Sequence, residues 1–222
     1  MAPLGLSLIL YAAAVLGALA GVLARRQMLL CIGKPVATVL LFAVLGGIPD
    51  DLFGYLVCSA IILSLAADIT LLAEGNEALV VGLGLSLVAH LCYGVAFFGA
   101  GPGGWRVLPV LMAFGACSVW FVRRQWRGMV PGLRVPVGIH ALVLTAMVAG
   151  VFSVLAGRAL LELALLAAAG ATLLYISQAL LPWARLQRPS RWAQPMTLVL
   201  YWAGQLCLVL AVRWGLDVKV LP

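Results

Sequence analysis

Asp68 lies in the stretch SLAADITLL, with no other charged residue within five positions on either side. An ionisable side chain in an apolar run of membrane-spanning length is costly and is usually kept for function. Six more polar residues share that setting: Lys34, His90, His140, Gln178, Tyr201 and Gln205. A carboxyl group and an imidazole exchange protons near neutral pH. An amide can only orient its neighbours, and an ammonium offers a point charge to an anion. Tyr201 and Gln205, spaced i and i+4, share one helix face. Proton transfer in a site shielded from bulk water is the chemistry this set suits. Each residue also has a plainer reading. Lys34 and Asp68 would form a structural ion pair, or Lys34 would snorkel to the interface. His90, His140, Tyr201 and Gln205 would hydrogen-bond neighbouring helices.

The rest of the chain must hold these groups in lipid. Of 222 residues, 65% are hydrophobic and 9% charged, whereas a soluble domain is about half apolar and a quarter charged. The mean hydropathy is +1.16. This composition cannot build a water-facing surface, so it excludes a soluble metalloenzyme and implies an integral membrane protein. Apolar runs near 3–24, 28–48, 52–73, 78–100, 105–122, 136–156, 159–181 and 193–214 are each about 18 to 23 residues long, enough to cross a hydrocarbon core of roughly 30 Å. None alternates with the period of two that a barrel needs. The expected fold is an all-α polytopic membrane protein of eight transmembrane helices, forming a single domain over 1–222. The first run carries Arg25 and Arg26 after it, which suits a spanning helix better than a cleaved signal peptide. Cys31, Cys58, Cys92, Cys117 and Cys207 form no CxxC pair and read as small apolar fillers. Trp105, Trp120, Trp126, Trp183, Trp192, Trp202 and Trp214 fall mostly near helix ends, as an interfacial aromatic belt requires.

The net charge of +7 is a topology signal here, with no nucleic acid implied. Arg25, Arg26, Arg123, Arg124, Arg127, Arg134, Arg185, Arg188 and Arg191 fall after the odd-numbered helices. Arg106, Arg158, Arg213 and Lys219 fall on the other side. Positive charge stays in the cytoplasm, so both termini are expected outside it, although the loop after the third helix carries only Glu74 and Glu77. At about 1.5 Å per residue, Lys34, Asp68, Gln178 and Tyr201 then lie roughly 5 to 12 Å from the cytoplasmic end, and His90 about 18 Å. Four helices place polar groups at similar depth, as a pocket open to one face would. Asp68 precedes His90 by 22 residues and Gln178 precedes Tyr201 by 23, a faint echo that would mark two four-helix halves.

KPVATVLLF, SLAADITLL, LVAHLCYGVAFF, GATLLYIS and YWAGQL, in this order on helices 2, 3, 4, 7 and 8, resemble the YhhN or lysoplasmalogenase family. PVGIHALVLTAM on helix 6 fits as well, with His140 where the family commonly has tyrosine. The resemblance implies eight spanning helices and an activity, hydrolysis of the vinyl ether bond of lysoplasmalogens to a fatty aldehyde and a glycerophospho-alcohol. It departs at helix 7: the family motif usually reads serine then aspartate, and here Ser177 is followed by Gln178. The acid that the family carries after a nearby tryptophan is absent too, since Ala184 and Arg185 follow Trp183.

That reaction begins with protonation of the outer alkene carbon, and water then attacks the oxocarbenium ion. The resemblance therefore makes Asp68 the expected general acid, with His90 as base or a water held by Gln178 completing the catalytic set. Lys34, Tyr93, Ser177, Tyr201 and Gln205 are the expected substrate-binding residues, with Lys34 meeting the phosphate. No metal or other cofactor is called for. The expected partners are a lysophospholipid or lysoplasmalogen substrate and the surrounding lipids, in a bacterial inner membrane. Two alternatives stand beside the enzyme: a relative that binds lysolipids without turnover, which Gln178 favours, and a small-molecule transporter. Neither a GxGD nor an HExxH string occurs, so an intramembrane protease is not indicated.

Overall fold

The computed structural model describes residues 3–47, 50–73, 75–102, 104–155, 161–186 and 192–215, without the side chains of residues 183–186. Glu74, Arg158, Arg188, Arg191 and Lys219, and the side chains of Trp183, Ala184 and Arg185, lie outside the described residues. The helices are α1 (Leu4–Leu23), α2 (Gln27–Leu45), α3 (Leu52–Thr70), α4 (Asn76–Ala100), α5 (Leu108–Trp126), α6 (Pro131–Leu155), α7 (Leu161–Leu186) and α8 (Ala193–Arg213). A 3-10 turn, Gly104–Val107, leads into α5. All eight spans are long and apolar enough to cross a membrane, and no strand occurs among the described residues.

Helix ends follow local chemistry. The Asp51 side chain caps α3 by accepting from the Gly54 N–H at 2.6 Å, satisfying one of the free donors of a first turn. Gly46 stops α2 with φ 80°, three residues short of the apolar run's end. The left-handed conformation costs glycine nothing. The Arg213 guanidinium donates to the Val44 carbonyl at 2.6 Å, which ties the end of α8 to a carbonyl left free at the end of α2. α6 begins at Pro131, five residues before the apolar run, because proline at the first helical position gives up a donor that has no partner there. Pro136 and Pro182 sit inside α6 and α7; prolines are tolerated in spanning helices when neighbours satisfy the freed carbonyl.

Each helix packs on its neighbours in order from α1 to α4. From there α4 packs on α6, α6 on α7, and α7 on α8, and α8 returns to α2 and α1. The α4–α6 and α2–α8 contacts join the first four helices to the last four. α5 leans mainly on α6 and is the least buried span. Lipid offers no hydrophobic drive between helices, so close backbone approach by small residues holds them. At the α7–α8 crossing, a Cβ on Gly170 would stand 2.8 Å from the Gly204 carbonyl, and one on Gly204 would stand 2.8 Å from that of Gly170. The outer surface carries large apolar side chains such as Ile9, Met28, Leu52, Met112 and Leu142, and the polar groups face inward. Five tryptophans, Trp105, Trp120, Trp126, Trp192 and Trp214, are exposed. Trp202 departs from the expected belt: it is buried in the core, and its carbonyl accepts from Tyr11. Cys31 and Cys117 are exposed on this apolar surface, while Cys58 is buried.

Candidate active site

Spacing of i and i+4 sets the first constellation. On α2 it stacks Lys34 and Thr38 on one face; on α3, Ser64 and Asp68; on α8, Tyr201 and Gln205. These three faces converge. Lys34 Nζ pairs with Asp68 Oδ1 at 3.0 Å and also donates to the Asp68 backbone carbonyl at 3.4 Å. Asp68 Oδ2 accepts from Thr38 Oγ1 at 2.7 Å and from the Tyr201 hydroxyl at 3.1 Å. Lys34 is 7% exposed and Asp68 3%, so the pair is desolvated. Moving two ions out of water is expensive, and only good geometry with extra hydrogen bonds offsets it. Here both carboxylate oxygens are occupied. The polar chain continues toward the bundle centre: Tyr93 on α4 donates to Gln205 Oε1 at 2.6 Å, and Gln205 Nε2 donates to Ser64 Oγ at 3.2 Å.

A second constellation lies between α4, α6 and α7. His90 Nδ1 bonds the Ser86 carbonyl one turn earlier. A carbonyl only accepts, so this assigns the proton to Nδ1 and leaves Nε2 with a lone pair. Ser86 Oγ donates to Gln178 Oε1 at 3.4 Å. The His140 ring meets the His90 ring edge to face, with centroids 5.4 Å apart. Ser177 points elsewhere, donating to the Thr197 carbonyl at 2.8 Å, and ties α7 to α8. Among the described residues, no group of three His, Cys, Asp or Glu side chains converges as metal ligands do.

The structure thus brings Lys34, Asp68 and Tyr201 into contact and places Gln205 and Tyr93 on the same hydrogen-bonded chain. His90 and Gln178 meet through Ser86 instead. Among the described residues, no hydrogen bond joins either of them to Asp68. Three participants were absent from the sequence expectation: Thr38, Ser64 and Ser86. Each lies four residues from a polar residue that was singled out, on the same helix face, and that spacing within an apolar run is the signal that finds them.

An eight-helix membrane bundle with a buried Lys34–Asp68 ion pair near one end of its helices defines the class: a polytopic helical membrane protein with buried ionisable groups. A model of the YhhN family matches residues 29–212, most of the chain, so the protein belongs to the YhhN family. That family includes lysoplasmalogenases. No curated protein and no solved structure matches the chain.

Proposed function

We propose that the protein is a lysoplasmalogenase-type hydrolase that uses Asp68 as its proton-transfer group. The observation that carries this reading is the buried Lys34–Asp68 pair, with Thr38 and Tyr201 on the second carboxylate oxygen. Proton transfer within the ion pair, from the Lys34 ammonium, brings Asp68 to its acid form, and Asp68 gives that proton to the outer carbon of the vinyl ether. The alkene becomes an oxocarbenium ion and Asp68 becomes a carboxylate. Water adds to the cation and returns a proton to Asp68. The hemiacetal then breaks into a fatty aldehyde and a glycerophospho-alcohol. Negative charge develops on Asp68 in the first step, and Lys34, Thr38 and Tyr201 already aim donors at it. Donors preorganised toward developing charge lower the barrier without reorganising. The carboxylate they hold also faces the cationic intermediate. Gln178, an amide, orients water and takes no proton.

Arg25, Arg26, Arg123, Arg124, Arg127 and Arg134 follow α1 and α5 or open α6. They support an orientation with both termini outside the cytoplasm and Asp68 toward the cytoplasmic leaflet. The test is aldehyde release from a lysoplasmalogen by purified protein in detergent. Wild type is expected to release aldehyde and Asp68→Asn to release none; equal rates from the two would remove Asp68 from the chemistry. A second reading, a lysolipid binder without turnover, draws on the separation of Gln178 from Asp68. Its mark is saturable lysoplasmalogen binding with no aldehyde formed.

A further inference from the structure

A narrow cleft runs between α5, α6 and α7, and Leu83 of α4 also lines it. Its polar side chains differ in how fully they are used. Ser118 and Tyr175 bond each other at 2.7 Å. Ser118 also bonds Thr145 at 2.8 Å, and Tyr175 donates to the Phe114 carbonyl at 2.9 Å. His140 is the exception. It is 3% exposed and lines the cleft, yet neither ring nitrogen has a hydrogen bond of ordinary geometry. The polar groups it faces are the Leu83 carbonyl and the Gln178 side chain. Beside it, the buried His90 Nε2 is also without a partner. Leaving a buried polar atom unpaired costs about 1–3 kcal/mol. A ligand oxygen that reaches His140, which lines the cleft, removes that cost there.

The lining also limits the ligand's charge. No Asp, Glu, Lys or Arg borders the cleft, so a phosphate or ammonium would enter without a counter-charge, which is strongly unfavourable. Neutral imidazole offers one N–H and one lone pair, a match for a hydroxyl or carbonyl oxygen. At the mouth, Phe121, Val122, Ala141 and Ala179 are half-buried. Their chain neighbours Trp120, Leu142 and Ile176 are exposed. This opening leads to acyl chains.

We propose that this narrow cleft binds the terminal oxygen of an uncharged single-chain lipid, a long-chain aldehyde or alcohol, with the oxygen at His140 and the chain leaving along Phe121, Val122, Ala141 and Ala179 at the mouth. The proposed hydrolysis makes the aldehyde product the native ligand, and that identity alone rests on the earlier reading.

A long-chain alcohol carrying a diazirine, photolysed with the purified protein in detergent and mapped by mass spectrometry, tests the site. Labelling is expected on the α5, α6 and α7 segments that line the cleft. Excess dodecanol should suppress it at least tenfold, and a phosphocholine detergent of equal chain length should not. His140→Phe should lose the competable labelling, His140→Gln should keep most of it, and Leu144→Trp should block it by filling the cleft. Asp68→Asn should label like wild type, so an absence of aldehyde release would leave this proposal standing. Uncompeted labelling spread over the outer surface, equal competition by the phosphocholine, or labelling indifferent to both His140→Phe and Leu144→Trp would overturn it.

Discussion

Lys34 and Asp68 hold each other through two contacts, an ion pair at 3.0 Å and a hydrogen bond from the same ammonium to the Asp68 backbone carbonyl at 3.4 Å. The lysine therefore fixes the end of α3 as well as neutralising the acid. Removing one member of a buried pair leaves an uncompensated charge and costs about 3–5 kcal/mol. Lys34→Met should lower the thermal midpoint in detergent by many degrees. Lys34→Met combined with Asp68→Leu should regain most of that loss, because two apolar residues of similar volume replace the pair. A double variant no more stable than Lys34→Met alone would contradict this account.

Tyr201 offers a cleaner separation of chemistry from folding. Its hydroxyl donates to Asp68 Oδ2 at 3.1 Å, and its ring is packed in the core. Tyr201→Phe keeps the ring and leaves Thr38 on the same oxygen. Loss of a donor aimed at developing charge is worth about a hundredfold in kcat. Aldehyde release should fall by about that factor, with a much smaller change in KM. A change confined to KM would make Tyr201 a binding residue only.

The glycines at the α7–α8 crossing give a prediction about assembly. A side chain at Gly204 meets the Gly170 carbonyl and the Leu174 backbone nitrogen, at 2.8 and 2.9 Å from its Cβ alone. Backbone cannot yield as a flexible side chain does. Gly204→Val should therefore abolish recovery of monodisperse protein after solubilisation. Gly17→Val is the control, since nothing lies within 4 Å of a Cβ there, and it should purify like wild type.

Much of this was legible before any coordinates. The apolar runs fixed eight spans because lipid requires continuous apolarity of about 20 residues, a strong constraint on a chain with few charges. The ends were less legible. α6 and α7 run past the apolar boundaries because Pro131 starts one helix and Pro182 fails to stop the other. Asp68 announced itself by its isolation, and its partner Lys34 was within reach of the same reasoning. The division of the polar residues into two groups was not legible. Depth along a helix follows from counting residues, but the direction each face points depends on how helices rotate against one another. Gly170, Gly204 and similar contacts set that rotation. For this reason Gln178, near Asp68 in depth, bonds Ser86 instead, as does the deeper His90.

Gln178 is the position where a single substitution asks the most. Its Oε1 accepts from Ser86 Oγ at 3.4 Å, and the His140 ring faces its side chain. An aspartate there keeps an acceptor for Ser86, is one methylene shorter, and gains a group that can take a proton from water. General base catalysis of this kind contributes about 10²–10⁴-fold where the geometry is good. The shorter arm and the lack of a direct bond to Asp68 argue for the low end or below. Gln178→Asp should raise aldehyde release by on the order of tenfold, and Gln178→Asn should not raise it. The new charge should also weaken dodecanol competition at the α5–α7 cleft, since a carboxylate there favours a different ligand. A Gln178→Asp protein that folds, turns over no faster than wild type and binds the alcohol unchanged would detach residue 178 from both sites.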